Sequence, residues 1–126
     1  MTATKEFLIG QFNIFNEKIF NNKLSMPTFN LFTSRSGPVG MFRINKKNGK
    51  PKIWINNSIE WTEETLISTL IHEMIHQYIR TVIGYNGFIS HGWRFLKYKW
   101  KIKRQLGIKI TISGKNLPYK KRKSVK

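Results

Sequence analysis

His72-Glu73-Met74-Ile75-His76 is the stretch from which the fold of this 126-residue chain can be worked outward. On a helix, His72 and His76 lie one turn apart on the same side, so that both imidazoles can reach one metal ion. Glu73 lies on the neighbouring edge of that side, where a general base can take a proton from a water molecule that the metal activates. The stretch therefore predicts a helix with a zinc site on one face.

The residues on either side of this pentapeptide predict a helix over 62–83. Thr62 is a suitable N-cap, and two glutamates follow it in the first turn, where the helix dipole favours negative charge. At 100° per residue, the two histidines and Glu73 share one arc with Thr69 and Arg80. The opposite arc is apolar and consists of Leu66, Ile67, Leu70, Ile71, Met74, Ile75, Tyr78 and Ile79.

A catalytic zinc site needs a third protein ligand, and the composition leaves few choices. The chain has no cysteine, three histidines in all, and no acidic side chain after Glu73. A thermolysin-like site therefore lacks its downstream carboxylate, and a metzincin site lacks its Gly and His, because Ile79 and Val82 stand at those positions. We predict His91 as the third ligand, brought back by the glycine-containing break at 84–87. A histidine that merely begins a surface helix is the competing interpretation.

The rest of the chain predicts an α+β domain. The order is a helix, three strands, two helices and a short last strand, and the Asn48-Gly49 pair indicates a hairpin between the second and third strands. The predicted segments are 5–21, 28–34, 39–44, 51–56, 62–83, 91–106 and 108–113. We assign 1–113 to one domain and 114–126 to a basic, flexible tail.

The charge is strongly unbalanced. The chain carries 23 Lys+Arg against 6 Asp+Glu, which gives a net charge of +17. Such a field attracts polyanions, nucleic acid above all, although a role in solubility alone is the alternative. No apolar run is long enough to span a bilayer and no signal peptide is recognisable, so we expect a cytoplasmic protein, associated with the nucleoid or, in a eukaryotic host, nuclear.

The predicted helix over 91–106 combines aromatic and basic side chains. One apolar strip consists of Phe95, Tyr98, Ile102 and Leu106, and a second of Trp93, Leu96 and Trp100. We expect both strips to be core, while stacking of an exposed tryptophan on an unpaired base stays open as the alternative. The cationic side chains predicted to contact phosphates are Arg94, Lys97, Lys101, Arg104, Lys120, Lys121, Arg122 and Lys123.

The motif His72-Glu-Met-Ile-His76, followed by His91-Gly-Trp-Arg-Phe95, resembles the SprT-like metallopeptidases, the family of the eukaryotic protease Spartan. The likeness extends upstream to residues 13–20 with Leu24 and Pro27, and covers roughly 12–106. It implies a zincin-like single domain in which a small three-stranded sheet packs with an N-terminal helix and the metal helix, followed by the basic helix. Many relatives carry a four-cysteine zinc ribbon, which this cysteine-free chain lacks. We expect any function of that ribbon to be either absent or supplied by the basic tail.

The resemblance also implies a function. We expect a Zn²⁺-dependent peptidase that hydrolyses DNA-associated or DNA-crosslinked proteins and so serves DNA–protein crosslink repair. DNA binding is expected to be independent of sequence and to include single strands. The strand over 51–56 is predicted to hold an extended substrate by edge pairing, and candidates to stabilise the oxyanion are Tyr78, Arg80 and Tyr85.

Three alternatives remain open from the sequence alone. One is a nucleic-acid-binding domain in which the same histidines hold a structural zinc ion, with no peptidase activity and no need for Glu73. Another is a metal-dependent hydrolase whose substrate is not a peptide. A role at a membrane surface is weaker, because the apolar residues of the basic helix form two strips and not one face.

Overall fold

The computed structural model describes residues 1–85, 91–110 and 117–121. These residues contain three helices, three strands and one π-helical turn. In chain order they are α1 (Lys5–Phe20), β1 (Thr28–Phe32), β2 (Gly40–Ile44), β3 (Pro51–Asn56), α2 (Glu63–Gln77), the π turn (Tyr78–Ile83) and α3 (Trp93–Leu106). The predicted α+β class and three-stranded sheet are confirmed. Apart from the end of α2, the ends of these elements coincide with the predicted ones or differ from them by one or two residues.

Side-chain caps determine where the first two long helices begin. The Thr4 hydroxyl accepts a hydrogen bond from the Phe7 amide at 3.2 Å at the start of α1. Thr62 is the N-cap of α2, as predicted, and accepts from the Thr65 amide at 3.1 Å. The Thr65 hydroxyl accepts in turn from the Thr62 amide at 3.0 Å, which completes a capping box.

The sheet has the order β1-β3-β2. β3 runs parallel to β1 and antiparallel to β2, so the predicted hairpin between β2 and β3 is confirmed. The expectation that 51–56 pairs with substrate is wrong, because β3 is the central strand and both of its edges are already hydrogen-bonded. β2 is the edge strand on the α2 side, and across the described residues no strand pairs with its outer edge.

One face of the sheet and the helices enclose the core. Ile53 and Ile55 of β3 are fully buried, whereas Lys52 and Trp54 point to the other, half-exposed face. α2 is buried on more sides than its apolar arc predicts, because Ser68, Thr69 and Gln77 are buried as well. α2, the helix that carries His72 and His76, is therefore packed on several sides, and this packing restricts the directions of its side chains.

The predicted single helix over 62–83 is interrupted. The α-helical hydrogen bonds stop at Gln77, and Tyr78–Ile83 forms a wider π-helical turn. Gly84 ends this turn with a φ of 84°, a left-handed conformation that glycine adopts without a Cβ clash, and its amide donates to the Ile79 carbonyl. π turns often occur at functional sites, and this one leads directly to the loop before His91.

The C-terminal part departs from the sequence-based expectations. The strand predicted over 108–113 is not found in its described part, because residues 107–110 form no strand. The Lys109 carbonyl accepts a hydrogen bond from the Ser68 hydroxyl at 2.9 Å and not from a neighbouring strand, and Ile110 is buried. Residues 111–113 lie outside the described residues. Part of the predicted flexible tail is docked, because Tyr119 forms an antiparallel bridge with Ile59. The boundary between 1–113 and 114–126 stays a prediction. No helix in the described ranges is long and apolar enough to cross a membrane.

Candidate metal centre

Three imidazoles converge at the junction of α2 and α3. His72 and His76 project from α2 one turn apart, and His91 lies in the turn just before α3 begins at Trp93. The Nε2 atoms of His72 and His76 are 3.2 Å apart, those of His76 and His91 3.0 Å, and those of His91 and His72 3.1 Å. The structure therefore brings the three predicted ligands together, although His91 precedes the helix that the sequence placed it in.

The spacing of these nitrogens fits a single metal ion. Zinc binds imidazole nitrogen at about 2.0–2.1 Å with tetrahedral angles, which places two ligand nitrogens about 3.3 Å apart. The observed separations of 3.0–3.2 Å are close to this value. The ligand atoms form a group able to hold an ion, and three protein ligands leave a fourth position for water or substrate.

Phe95 lies against all three imidazoles. Its ring centroid is 4.8 Å from that of His72, 5.0 Å from that of His76 and 4.9 Å from that of His91. The ring is fully buried and comes from the first turn of α3, four residues after His91. The helical wheel identified Phe95 only as core, yet its ring restrains the three half-buried imidazoles and shields them from water on one side.

Glu73 lies on the buried side of the metal helix. Glu73 is only 5% exposed, and it lines a cleft of about 250 Å³ together with His76 and residues of β2. Gly40 of β2 allows this close approach, because a Cβ there would be 3.1 Å from Glu73 Oε2 and 3.1 Å from Thr69 Cγ2. The sequence provided no sign that this glycine would border the cleft.

Burial also changes the proton affinity of the site in the absence of metal. Desolvation raises the pKa of Glu73 from 4.5 to about 8. The pKa of His76 falls to about 3, first through burial and then through the positive charges of His72, His91 and Arg80. Burial lowers the pKa of His91 too. Imidazoles that resist protonation remain available as metal ligands at neutral pH.

These shifts predict how the stability of the metal-free protein depends on pH. Glu73 ionises near pH 4.5 in the unfolded chain but only near 8 in the folded one. The free energy of unfolding should therefore decrease by about 1 kcal/mol between pH 7 and 8.5. His76 is neutral in the folded state over this range, while in the unfolded chain, with a pKa of 6.5, it is partly protonated at pH 7 and loses that proton by pH 8.5. This opposes the decrease, but by only a small part of it. Urea unfolding of chelator-treated protein at the two pH values measures the decrease.

Glu73→Gln should remove this dependence, because an amide does not ionise. Glu64→Gln is the matched control, since Glu64 lies exposed on the same helix and should leave the decrease unchanged. An equal loss of stability with pH in wild type and Glu73→Gln would show that ionisation of Glu73 does not cause the decrease.

Comparison with known families now identifies the chain. Its sequence matches the SprT-like family over residues 10–116. The chain belongs to this family. Comparison with curated proteins returned no match. The match includes the sheet, both helices of the metal centre and the three histidines, so this SprT-like domain has the zincin-like fold that its His-Glu-x-x-His helix predicts.

The burial of the basic helix α3 agrees only in part with the expectation from the sequence. Phe95 and Ile102 of the first apolar strip are buried, but Leu106 is 37% exposed. The expectation that the second strip is core is wrong, because Trp93 is 65% exposed and Trp100 62%. No element among the described residues covers these two rings. α3 therefore buries one strip against the domain and presents the other to solvent.

The cationic residues of α3 fall into two environments. Lys97, Lys101 and Arg104 are exposed, as phosphate contacts require. Arg94 instead stacks its guanidinium 4.0 Å from the ring centroid of Tyr85 and 4.5 Å from that of Trp93. This contact joins the end of the π turn to the first turn of α3, on either side of His91.

The basic residues near the C-terminus lie elsewhere on the SprT-like domain. The Lys120 ammonium donates to the Thr2 hydroxyl at 2.7 Å, and its amide donates to the Ser58 carbonyl at 2.7 Å. Lys121 is exposed. Arg122 and Lys123, also predicted to contact nucleic acid, lie outside the described residues.

The three candidates for oxyanion stabilisation, Tyr78, Arg80 and Tyr85, differ in their position relative to the cleft. Arg80 lines the cleft with Glu73, and its guanidinium lies 6.0 Å from the ring centroid of Phe42. Tyr78 packs on Tyr98, and burial followed by their hydrogen bond raises the pKa of Tyr98 to about 12. Tyr85 is stacked on Arg94. Only Arg80 of the three borders the cleft.

Proposed function

We propose that this chain is a zinc-dependent peptidase that acts on DNA-associated proteins, including proteins crosslinked to DNA. One observation carries the peptidase part: three Nε2 atoms lie 3.0–3.2 Å apart beside a cleft that contains the buried Glu73. In this proposal His72, His76 and His91 hold Zn²⁺. A bound zinc ion supplies Lewis acidity towards water and towards the scissile carbonyl.

Glu73 is the proposed general base. A carboxylate adjacent to the ligand face is placed to accept a proton from the attacking water and to deliver it to the leaving amine. The burial that raises its pKa to about 8 in the absence of metal makes it a stronger base than an exposed carboxylate. Positive charge at the histidine site favours the ionised form that a base requires.

Substrate is proposed to bind as an extended strand along the outer edge of β2. Met41, Phe42 and Arg43 of β2 line the cleft on one side, with Glu73 and His76 on the other. Backbone hydrogen bonds to an edge strand hold a peptide whatever its sequence, which suits an enzyme that must accept varied proteins. Arg80 closes the cleft and is the candidate to stabilise negative charge on the carbonyl oxygen.

The DNA part of the proposal is supported by charge. The net charge is +17, and Lys97, Lys101 and Arg104 are exposed together on α3. Bound DNA would bring DNA-associated proteins to the cleft and so raise their local concentration. A cytoplasmic location in contact with the nucleoid, or a nuclear one, belongs to this proposal.

Charge reversal at Lys97, Lys101 and Arg104 is expected to weaken DNA binding alike for unrelated sequences. Each phosphate that the variant no longer neutralises should reduce the slope of log affinity against log salt by about 0.7–0.9. Anisotropy titrations over a range of salt concentrations measure this change. Hydrolysis of a DNA-bound protein should rise when DNA is added at low salt, and the charge-reversed variant should abolish the rise.

The hairpin offers a matched control. Reversing Lys46, Lys47 and Lys50, which are exposed in the connection between β2 and β3, changes the net charge equally. A similar loss of affinity in both variants would mean that net charge alone attracts DNA. Hydrolysis at the same rate with and without DNA at low salt would contradict the proposed coupling between DNA binding and catalysis. It would not contradict the proposed peptidase activity.

A further inference from the structure

The second apolar strip of α3 forms an open groove on the surface. Its two tryptophans are 65% and 62% exposed, although tryptophan is well buried on average. The groove has a volume of about 480 Å³. We call it the tryptophan groove, and its lining residues are Trp93, Leu96, Lys97, Trp100, Lys101 and Arg104.

The length of the tryptophan groove suits stacked bases. Trp93 and Trp100 are two helical turns apart, which corresponds to about 10.5 Å along the helix axis. Bases stack at about 3.4 Å, so this distance spans two to three of them. Arg94 stacks 4.5 Å from the Trp93 ring centroid and restrains that ring before any ligand binds. A restrained ring loses less conformational freedom on binding.

The charge of the tryptophan groove narrows the choice of occupant. Lys97, Lys101 and Arg104 stand exposed among its aromatic side chains. A second copy of a chain with a net charge of +17 would be repelled from this face. An interfacial membrane helix inserts a broad apolar face, whereas this one is a cationic groove with two rings and a single leucine. Aromatic faces combined with a cationic track are typical of sites for single-stranded nucleic acid.

We propose that the tryptophan groove binds single-stranded DNA, with unpaired bases stacked on Trp93 and Trp100. The phosphates are contacted by Lys97, Lys101 and Arg104. This inference rests on the proposed association with DNA and adds a preference for unpaired strands, since the faces of paired bases are covered by their neighbours in the duplex. The enzyme would thereby be directed to proteins on exposed single strands.

The test separates stacking from charge. The variant Trp93→Leu/Trp100→Leu is compared with wild type in binding labelled oligo(dT) and labelled heparin, a polyanion without bases. Affinity for oligo(dT) should fall by about tenfold or more, and affinity for heparin by less than about twofold. Trp93→Phe/Trp100→Phe is the matched control, which keeps aromatic faces and should retain most oligo(dT) affinity. Oligo(dT) should also quench tryptophan emission in wild type but not in the leucine variant.

Three results would overturn the proposal: an equal loss for oligo(dT) and heparin, undiminished oligo(dT) binding by the leucine variant, or duplex DNA that binds as tightly as oligo(dT). Tryptophan emission that shifts with anionic vesicles but not with oligo(dT) would assign the groove to a membrane instead. The tryptophan variants and the chain with both tryptophans intact all carry Glu73→Gln and are zinc-loaded and full-length, so that binding is measured without hydrolysis. If the chain with both tryptophans intact binds no DNA at all, the DNA part of the proposed function is wrong as well. If it binds DNA but the leucine variant loses affinity for oligo(dT) and heparin equally, only the stacking proposal is wrong.

Discussion

Glu73→Gln is expected to leave the fold and the zinc content unchanged and to lower peptide-bond hydrolysis by about 10²–10⁴-fold. This is the range that a positioned general acid–base contributes to catalysis. Glutamine has nearly the same shape as glutamate, so it fits the buried position beside Gly40 but cannot accept a proton at neutral pH. The measurement is kcat/KM on an unstructured protein substrate, with metal content determined on the same sample.

Glu64→Gln is the control for this experiment as well. Glu64 precedes His72 on α2 by about two turns and is exposed, so its replacement should change neither metal content nor rate. Activity of Glu73→Gln near that of wild type would remove the general-base role. It would then favour a nucleic-acid-binding domain in which the three histidines hold a structural zinc ion.

Replacing His91 by alanine should abolish stoichiometric zinc binding at neutral pH, and so should the same change at His72 or His76. The chain contains no other histidine, no cysteine and no acidic side chain after Glu73 that could take over as ligand. We expect the affinity to fall by more than about 100-fold, which exceeds the effect of losing a hydrogen bond to a ligand. Competition with a chromophoric chelator measures the affinity.

Gln105→Ala tests whether this loss is specific to the ligand. Gln105 is exposed on α3, the helix that His91 precedes, and its replacement should preserve both fold and zinc. Full zinc retention in His91→Ala would mean that the third ligand has been misassigned. Circular dichroism of each variant distinguishes loss of a ligand from loss of the domain, because removal of one imidazole should leave the helix and strand signals unchanged, whereas unfolding removes them.

Local patterns in the sequence were sufficient for most of the secondary structure. The segment over 51–56 is a strand with those bounds, and Thr62 caps the metal helix as predicted. Capping, hairpin turns and apolar periodicity depend on residues a few positions apart, so they can be recognised without the fold. The π turn was missed for the same reason: its residues have ordinary helix periodicity, and the change in hydrogen bonding after Gln77 leaves no mark on the pattern.

The sequence by itself also determined which imidazoles can form a metal site, because a chain with three histidines and no cysteine offers a single imidazole set. Only the tertiary structure decided that β3 is central and β2 the free edge, since pairing joins segments far apart in the chain. It likewise decided that Glu73 is buried, that Phe95 supports the imidazoles, and that Trp100 faces solvent. A helical wheel identifies the strips of a helix, but which strip is covered depends on what packs against it. That choice is made by non-local contacts, because burial belongs to the whole domain and not to any segment.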